Sequence, residues 1–209
     1  MEKNKAYWEN RVEEQGYRAV STVGDFGPRT AEEIEFLIGE ISRVYPNPVN
    51  LSIDFGSGWG RLFPVLMRTS KKQILVDFVE ENKKLWEMAF PNPNGAAFSV
   101  CAIKDFVPKT LADYALTSFS LLHIIDGTEY QESVKKIVES VRENGHLFIF
   151  ESYTEAGVPA PHCSDRKREE FIEPFKDCSL EREMLWQSRY QPFEMKECHQ
   201  PMRLFTFGR

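Results

Sequence analysis

Hydrophobic and polar residues follow two different periods along this chain. Continuous apolar runs, which are typical of buried strands, lie at about 49–54, 73–77, 97–101, 113–120 and 146–150. Elsewhere the apolar residues recur every three or four positions, as on one face of a helix, at about 60–69, 80–89 and 128–143. Strands that alternate with helices predict an α/β fold with a doubly wound, mostly parallel sheet.

The N-terminal part of the chain adds two predicted helices. Residues 6–15 form a polar, aromatic-bearing segment, and Thr30 and Glu33 have the spacing of a capping box at the start of a second helix. That helix is expected to end before Pro46.

The later helix and the C-terminal part have their own signals. Residues 128–131 predict a helix cap, and Asn144-Gly145 predicts the end of the same helix. Beyond position 151 the pattern predicts a short helix at about 166–175. It also predicts two closing strands, at about 180–187 and 202–207, paired as a hairpin at the sheet edge.

A glycine-rich loop carries the strongest chemical signal. Asp54-Phe55-Gly56-Ser57-Gly58-Trp59-Gly60-Arg61 follows the first predicted strand and precedes a predicted helix. Glycines let a ligand approach the backbone closely, and the start of a helix presents free N–H groups. A dinucleotide site needs its third glycine at Arg61, and a P-loop needs a following Lys-Ser/Thr pair, so neither motif is present. The purely structural alternative is a tight turn that needs glycine for its positive φ.

This loop resembles the first motif of class I S-adenosylmethionine-dependent methyltransferases, which reads acidic-x-Gly-x-Gly-x-Gly. The resemblance extends over nearly the whole chain from about Asn50, and it implies about seven strands with an antiparallel strand at the C-terminus. It also implies that residues of this stretch hold the methionine end of S-adenosylmethionine, with the acid near its ammonium. These are Asp54, Gly56, Ser57, Gly58 and Gly60.

Asp77 ends the second predicted strand, about twenty residues beyond Gly56, where a strand–helix–strand unit would bring it to the same site. A carboxylate there can accept both ribose hydroxyls, and the resemblance places Phe78 beside the adenine. The alternative for Asp77 is a solvated acid at a strand end. The family often has an acid after the third strand, where this chain has Ala102. Either Asp105 takes that role through a longer loop, or backbone groups hold the adenine.

The segment after the fourth strand contains the candidate for chemistry. Ser118 is assigned to the cofactor by the resemblance, and His123 is the candidate general base because its pKa suits proton transfer near neutral pH. A structural histidine at a strand end is the alternative. The Asp/Asn-Pro-Pro-aromatic tetrad of amino-methylating DNA enzymes is absent. Tyr7, Trp8 and Tyr153 are candidates for an aromatic lid that excludes water, with simple coverage of the sheet as the alternative.

Composition limits the other possibilities. A net charge of −6 argues against a nonspecific grip on nucleic acid, no apolar stretch is long enough to span a membrane, and no signal-peptide core follows Met1. The four cysteines form no C-x-x-C pair, which favours a reducing cytoplasm. The Cys and His residues of the last quarter of the chain lack the close spacing of a metal knuckle, so we expect no metal.

The sequence therefore predicts one methyltransferase domain over residues 1–209. It comprises an N-terminal helical cap segment at 1–45, a cofactor-binding core at 49–151 and a C-terminal segment at 152–209. The predicted activity is transfer of a methyl group from S-adenosylmethionine to an O or N nucleophile of a small molecule, with S-adenosylhomocysteine as product. We expect a monomer or homodimer. The alternatives are a methyltransferase acting on protein or RNA, and an idle S-adenosylmethionine-binding subunit.

Overall fold

The computed structural model describes residues 2–19, 27–152, 163–189 and 202–209. Seven strands of the described chain form one sheet in the order β3-β2-β1-β4-β5-β7-β6. The strands are β1 (Val49–Phe55), β2 (Ser70–Asp77), β3 (Ala96–Val100), β4 (Ala112–Ser118), β5 (Val141–Glu151), β6 (Ser179–Trp186) and β7 (Met202–Gly208). The first five strands pair in parallel, and β7 pairs antiparallel with both β5 and β6. The predicted fold class and the closing hairpin are confirmed.

Helices cover both faces of this sheet. They are α1 (Glu2–Gln15), α2 (Pro28–Val44), α3 (Phe63–Thr69), α4 (Glu80–Ala89), α5 (Gly127–Glu139) and α6 (Arg168–Ile172). One apolar core joins the sheet to α5 and α6, and a second joins it to α2, α3 and α4. Since β1, β2, β4 and β5 contribute to both cores, their inner segments are buried on both faces and read as continuous apolar runs. No helix in the described parts of the chain combines the length and the apolar character needed to cross a membrane.

The predicted helix boundaries need three corrections. Helix α2 begins at Pro28, whose fixed φ suits the first helical position, so Thr30 lies inside the helix and does not cap it. The cap of α5 is Asp126, whose side chain accepts from the Glu129 N–H, and the pattern at 128–131 lies within the first turn. Helix α5 ends at Glu139, before Asn144.

Asn144-Gly145 lies inside β5 and does not end a helix. The pairing of β4 with β5 shifts register between Ala112 and Tyr114, and Asn144 has a φ of 61°. A Cβ at Gly145 would lie 2.6 Å from the carbonyl oxygen of Asp113, so the close approach of β4 requires glycine there. A glycine in a strand irregularity gives the same local sequence signal as a glycine after a helix.

The parallel strands bring several predicted site residues to one sheet edge. β1, β2 and β4 are neighbours and run in the same direction, so their C-terminal ends place the segments after Phe55, Asp77 and Ser118 side by side. The division of one domain into segments 1–45, 49–151 and 152–209 stays a prediction.

Candidate functional site

A cavity of about 360 Å³ opens at the C-terminal ends of β1, β2 and β4, a volume within the usual range of small-molecule sites. Most of the predicted site residues line it: Trp8, Asp54, Gly56, Ser57, Gly58, Asp77, Phe78, Asp105, Ser118 and His123. Gly60 and Tyr7 are not among the lining residues. Tyr153 lies outside the described residues.

The glycine loop has a backbone that only glycine adopts easily. Gly56, Gly58 and Gly60 have φ values of 70°, 54° and 84°, all in the left-handed region. A Cβ on Gly56 would lie 2.2 Å from Ser120 Oγ, which side chains cannot tolerate, whereas a Cβ on Gly60 would strike Trp86 at 2.6 Å. Gly56 therefore lets the loop approach the segment after β4, and Gly60 lets it approach α4.

Asp77 ties this loop to the end of β2. Its Oδ2 accepts from the Gly58 N–H at 2.9 Å, and its Oδ1 accepts from the Val79 N–H at 2.9 Å and from Asn82 Nδ2 at 3.1 Å. Burial raises the pKa of Asp77, and these hydrogen bonds lower it. A carboxylate offers about four acceptor positions, so three donors leave about one for a ligand.

Asn82 is a polar residue of the cavity that the sequence analysis missed. It is 3% exposed and lines the cavity. Its Nδ2 donates to Asp77, and this hydrogen bond fixes the orientation of its amide group. Its Oδ1 is buried and has no hydrogen-bond partner in the described structure. A buried acceptor left in this way is normally satisfied by a ligand or by water.

Asp54 is a buried acid beside the loop, 2% exposed. Burial raises the pKa of its carboxyl from 3.8 to about 8, Arg61 lowers it and Asp77 raises it. No hydrogen bond from the described residues contributes to holding its charge. The Asp54 carboxyl is therefore mostly protonated at pH 7, and a cation placed against it would favour its ionised form.

A second feature missed from the sequence is an ion-pair cluster on the cavity wall. Glu33 on α2 is 2% exposed and pairs with Arg61, directly after the glycine loop. It also accepts from Arg29 Nε at 3.1 Å, and all three residues line the cavity. The spacing of Arg29 and Glu33, one helical turn apart, was the available signal for part of this cluster. Because these two guanidinium groups share one carboxylate, some of their N–H donors are left for an anionic group of a ligand.

His123 lies on a short 3-10 turn, Leu121–His123, after β4. Trp8 of α1 contacts its ring edge-on, with the centroids 4.8 Å apart, and Cys163 Sγ lies 3.6 Å from its Nδ1. Tyr7 stands behind Trp8 with ring centroids 5.1 Å apart. The structure thus brings the base candidate and one lid candidate together at the cavity.

Asp105 lines the cavity but is a weaker candidate for cofactor binding than Asp54 or Asp77. Its side chain is 54% exposed and pairs with Lys104 Nζ at 2.9 Å, on the short turn Ile103–Asp105 that follows β3. It reaches the cavity wall through the longer loop that the sequence analysis considered. Across the described residues, no group of three or more His, Cys, Asp or Glu side chains could hold a metal ion.

The comparisons with known proteins identify the fold. The sequence matches no protein-family model and no curated protein. Among solved structures, a SAM-dependent methyltransferase from Leishmania major has a TM-score of 0.79 at 14% identity, over 99% of this chain and 82% of that one. N-methyltransferase NodS from Bradyrhizobium japonicum, in complex with S-adenosylhomocysteine, has a TM-score of 0.74 at 14% identity, over 98% and 97%. Magnesium protoporphyrin IX methyltransferase from Synechocystis, with bound SAM, has a TM-score of 0.71 at 12% identity, over 99% and 97%. At these identities the likeness defines the Rossmann-like methyltransferase fold.

Proposed function

We propose that this protein is an S-adenosylmethionine-dependent methyltransferase that methylates an O or N nucleophile of a small molecule. The observation that carries the proposal is Asp54, a buried carboxyl that lines the cavity beside a left-handed glycine cradle. A cationic ligand would stabilise its charge, and the methionine end of S-adenosylmethionine carries an ammonium. The similar structures named above support the same proposal: one holds S-adenosylhomocysteine, and another is a magnesium protoporphyrin IX methyltransferase with bound SAM.

The cavity wall offers a partner for each polar part of this cofactor. Asp54 would hold the ammonium, and Arg61, which already pairs with Glu33, would use its remaining donors for the carboxylate. Ser57 and Gly58 would follow the methionine chain along the loop.

The ribose hydroxyls would be shared between two acceptors. Asp77 has about one acceptor position left, which suits one hydroxyl. Asn82 Oδ1 suits the second, because it is buried in the same wall without a partner among the described residues. This refines the expectation that Asp77 alone accepts both hydroxyls. Phe78, Asp105 and Ser118 would border the nucleoside.

When bound, S-adenosylmethionine supplies an electrophilic methyl group on a sulfonium. The protein must then align the nucleophile with that methyl group and keep water out. Trp8 lines the cavity from α1 and contacts Tyr7, and the two would form the lid, with Tyr153 as a third lid candidate from the sequence. His123 lies at the cavity and would accept the proton that an amine or hydroxyl loses.

The test is a calorimetric titration of the purified protein with S-adenosylmethionine, S-adenosylhomocysteine and NAD. We expect micromolar binding of the first two and none of NAD, since the loop lacks a pyrophosphate site. Protein that binds neither sulfur ligand would refute the proposal. A radiolabelled methyl donor and pools of small amines, phenols and alcohols then test turnover, with protein and RNA fractions in parallel. Binding without transfer to any pool would favour an idle cofactor-binding subunit. The oligomeric state, monomer or homodimer, is read from the same sample by light scattering.

A further inference from the structure

Glu151 is a fully buried acid that does not line the cavity. It is the last residue of β5, is 0% exposed, and lies behind the segment that follows β4. Its Oε1 accepts from the Ser120 N–H at 2.8 Å and from the Leu121 N–H at 3.0 Å. A charged acceptor buried at this depth is costly unless such donors stabilise it.

The two amides belong to a segment whose shape needs support. Phe119 has a φ of 54°, in the left-handed region of the backbone that residues other than glycine rarely adopt. Directly after it, Ser120 Oγ donates to the Gly56 carbonyl at 3.1 Å, and the segment then continues into the turn that carries His123. The segment therefore connects the glycine loop with the proposed base, and the surrounding structure must hold it.

We propose that Glu151 is a positioning residue: its carboxylate grips the turn after β4, keeping Ser120 against the glycine loop and His123 in the cavity. This inference rests on the proposed function for its consequence. Without the carboxylate, two amide groups would lose their acceptor. The turn would then be free to relax from its strained backbone, and both the loop and the base would lose their positions.

The carboxyl of Glu151 changes its charge near neutral pH. Burial raises the pKa of its carboxyl to about 7, while the backbone N–H groups of residues 120–122 lower it. On the α5 side, Tyr130 is the titratable group that senses Glu151, and its own pKa lies far above this range. The grip should therefore be complete above about pH 8 and weaken as the carboxylate gains a proton below pH 7.

Amide NMR of the whole protein tests this contact directly. In wild-type protein the Ser120 and Leu121 amide protons should shift with a midpoint near pH 7, because their acceptor titrates. Glu151→Gln should abolish that titration, move the ring signals of His123 and weaken S-adenosylhomocysteine binding at pH 8 by about tenfold, as for a lost charge-assisted hydrogen bond. The matched control is Glu143→Gln, an exposed acid on the same strand, which should behave as wild type.

Two results would overturn the inference. One is Ser120 and Leu121 amide signals at pH 8 that Glu151→Gln leaves unchanged. The other is a folded Glu151→Gln protein that keeps both the wild-type affinity and the wild-type His123 signals, which would reduce Glu151 to a role in stability. If wild-type protein fails to bind S-adenosylhomocysteine at all, the proposed function fails. The amide titration and the His123 signals then still decide whether Glu151 positions the turn.

Discussion

Cofactor binding should depend steeply on pH because of Asp54. Its pKa of about 8 in the ligand-free protein means that the carboxyl carries a proton at pH 7. If the ligand's ammonium binds the ionised form, the proton must leave first. One pH unit below the pKa this costs about 1.4 kcal/mol, and two units below it costs about 2.7 kcal/mol. We therefore expect S-adenosylhomocysteine affinity to fall by about tenfold per pH unit below pH 8.

Calorimetry in pairs of buffers with different ionisation enthalpies measures both quantities. The affinity gives the pH slope, and the buffer dependence of the heat gives the protons released, which should be about 0.9 per ligand at pH 7. Asp54→Asn removes the titrating group while keeping its size. This variant should bind weakly at pH 8 and lose the pH dependence between pH 7 and 8, keeping below pH 7 only the part that Glu151 causes. Any residual proton release in it would report on Asp77 or Glu151, whose pKa values are also raised.

The same raised pKa predicts how the ligand-free protein responds to pH. The folded state keeps a proton on Asp54 that the unfolded chain gives up above its usual pKa of 3.8. Stability attributable to this group should therefore fall as pH rises from about 4 to 8, and Asp54→Asn should raise the melting temperature most at pH 8 and above. A wild-type affinity that does not change between pH 6 and 8, or an Asp54→Asn protein that binds as tightly as wild type at pH 8, would refute this reasoning.

Three further changes test other parts of the site, and Gly39→Ala, outside the site, serves as a control for one of them. Asn82→Ala should weaken the binding of S-adenosylhomocysteine by about 1–2 kcal/mol. It should not further weaken the binding of the deoxyribose analogue that lacks the hydroxyl contacted by Asn82. An equal loss of affinity for S-adenosylhomocysteine and for both deoxyribose analogues would contradict the ribose contact. Gly56→Ala should abolish binding, because its Cβ would lie 2.2 Å from another side chain, whereas Gly39→Ala, with nothing within 4 Å, should raise the free energy of unfolding by about 0.5–1 kcal/mol in urea titration. His123→Ala should lower turnover of an identified acceptor by about a hundredfold without changing S-adenosylhomocysteine affinity, and an undiminished rate would make this histidine structural.

The features that sequence reasoning predicted are local in the chain. The inner parallel strands β1, β2, β4 and β5 are buried on both faces and appear as apolar runs, and the glycine loop lies next to its strand and helix. Asp77 was found because a strand–helix–strand unit fixes its distance from Gly56. The helix starts were predicted less well. The structure begins α2 at Pro28 and caps α5 with Asp126, whereas the sequence pattern predicted starts at the nearby Thr30 and Thr128.

The features that were missed depend on long-range contacts. Glu33 precedes the glycine loop by more than twenty residues, and only the packing of α2 beside that loop joins it to Arg61. Glu151 acts on amides thirty residues earlier in the chain, through the pairing of β4 with β5. Asn82 reads as an ordinary polar position on a helix until the fold directs it at Asp77. No periodicity distinguishes such residues from solvated ones.

Burial keeps a proton on Asp54 when no ligand is present, although the charges around the methionine end of the cavity favour its ionised form. Arg29 and Arg61 share the single carboxylate of Glu33, so this wall is already one positive charge in excess. An ionised Asp54 would balance that charge, but its burial makes ionisation unfavourable until a cation arrives. An amino-acid group brings an ammonium for Asp54 and a carboxylate for Arg61 together, and both interactions then form without an unpaired buried charge. A ligand without an ammonium gives Asp54 no cation to pair with, so 5′-methylthioadenosine, which has neither the ammonium nor the carboxylate, should bind without releasing the Asp54 proton. Proton release equal to that of S-adenosylhomocysteine would show that Asp54 responds to another part of the ligand.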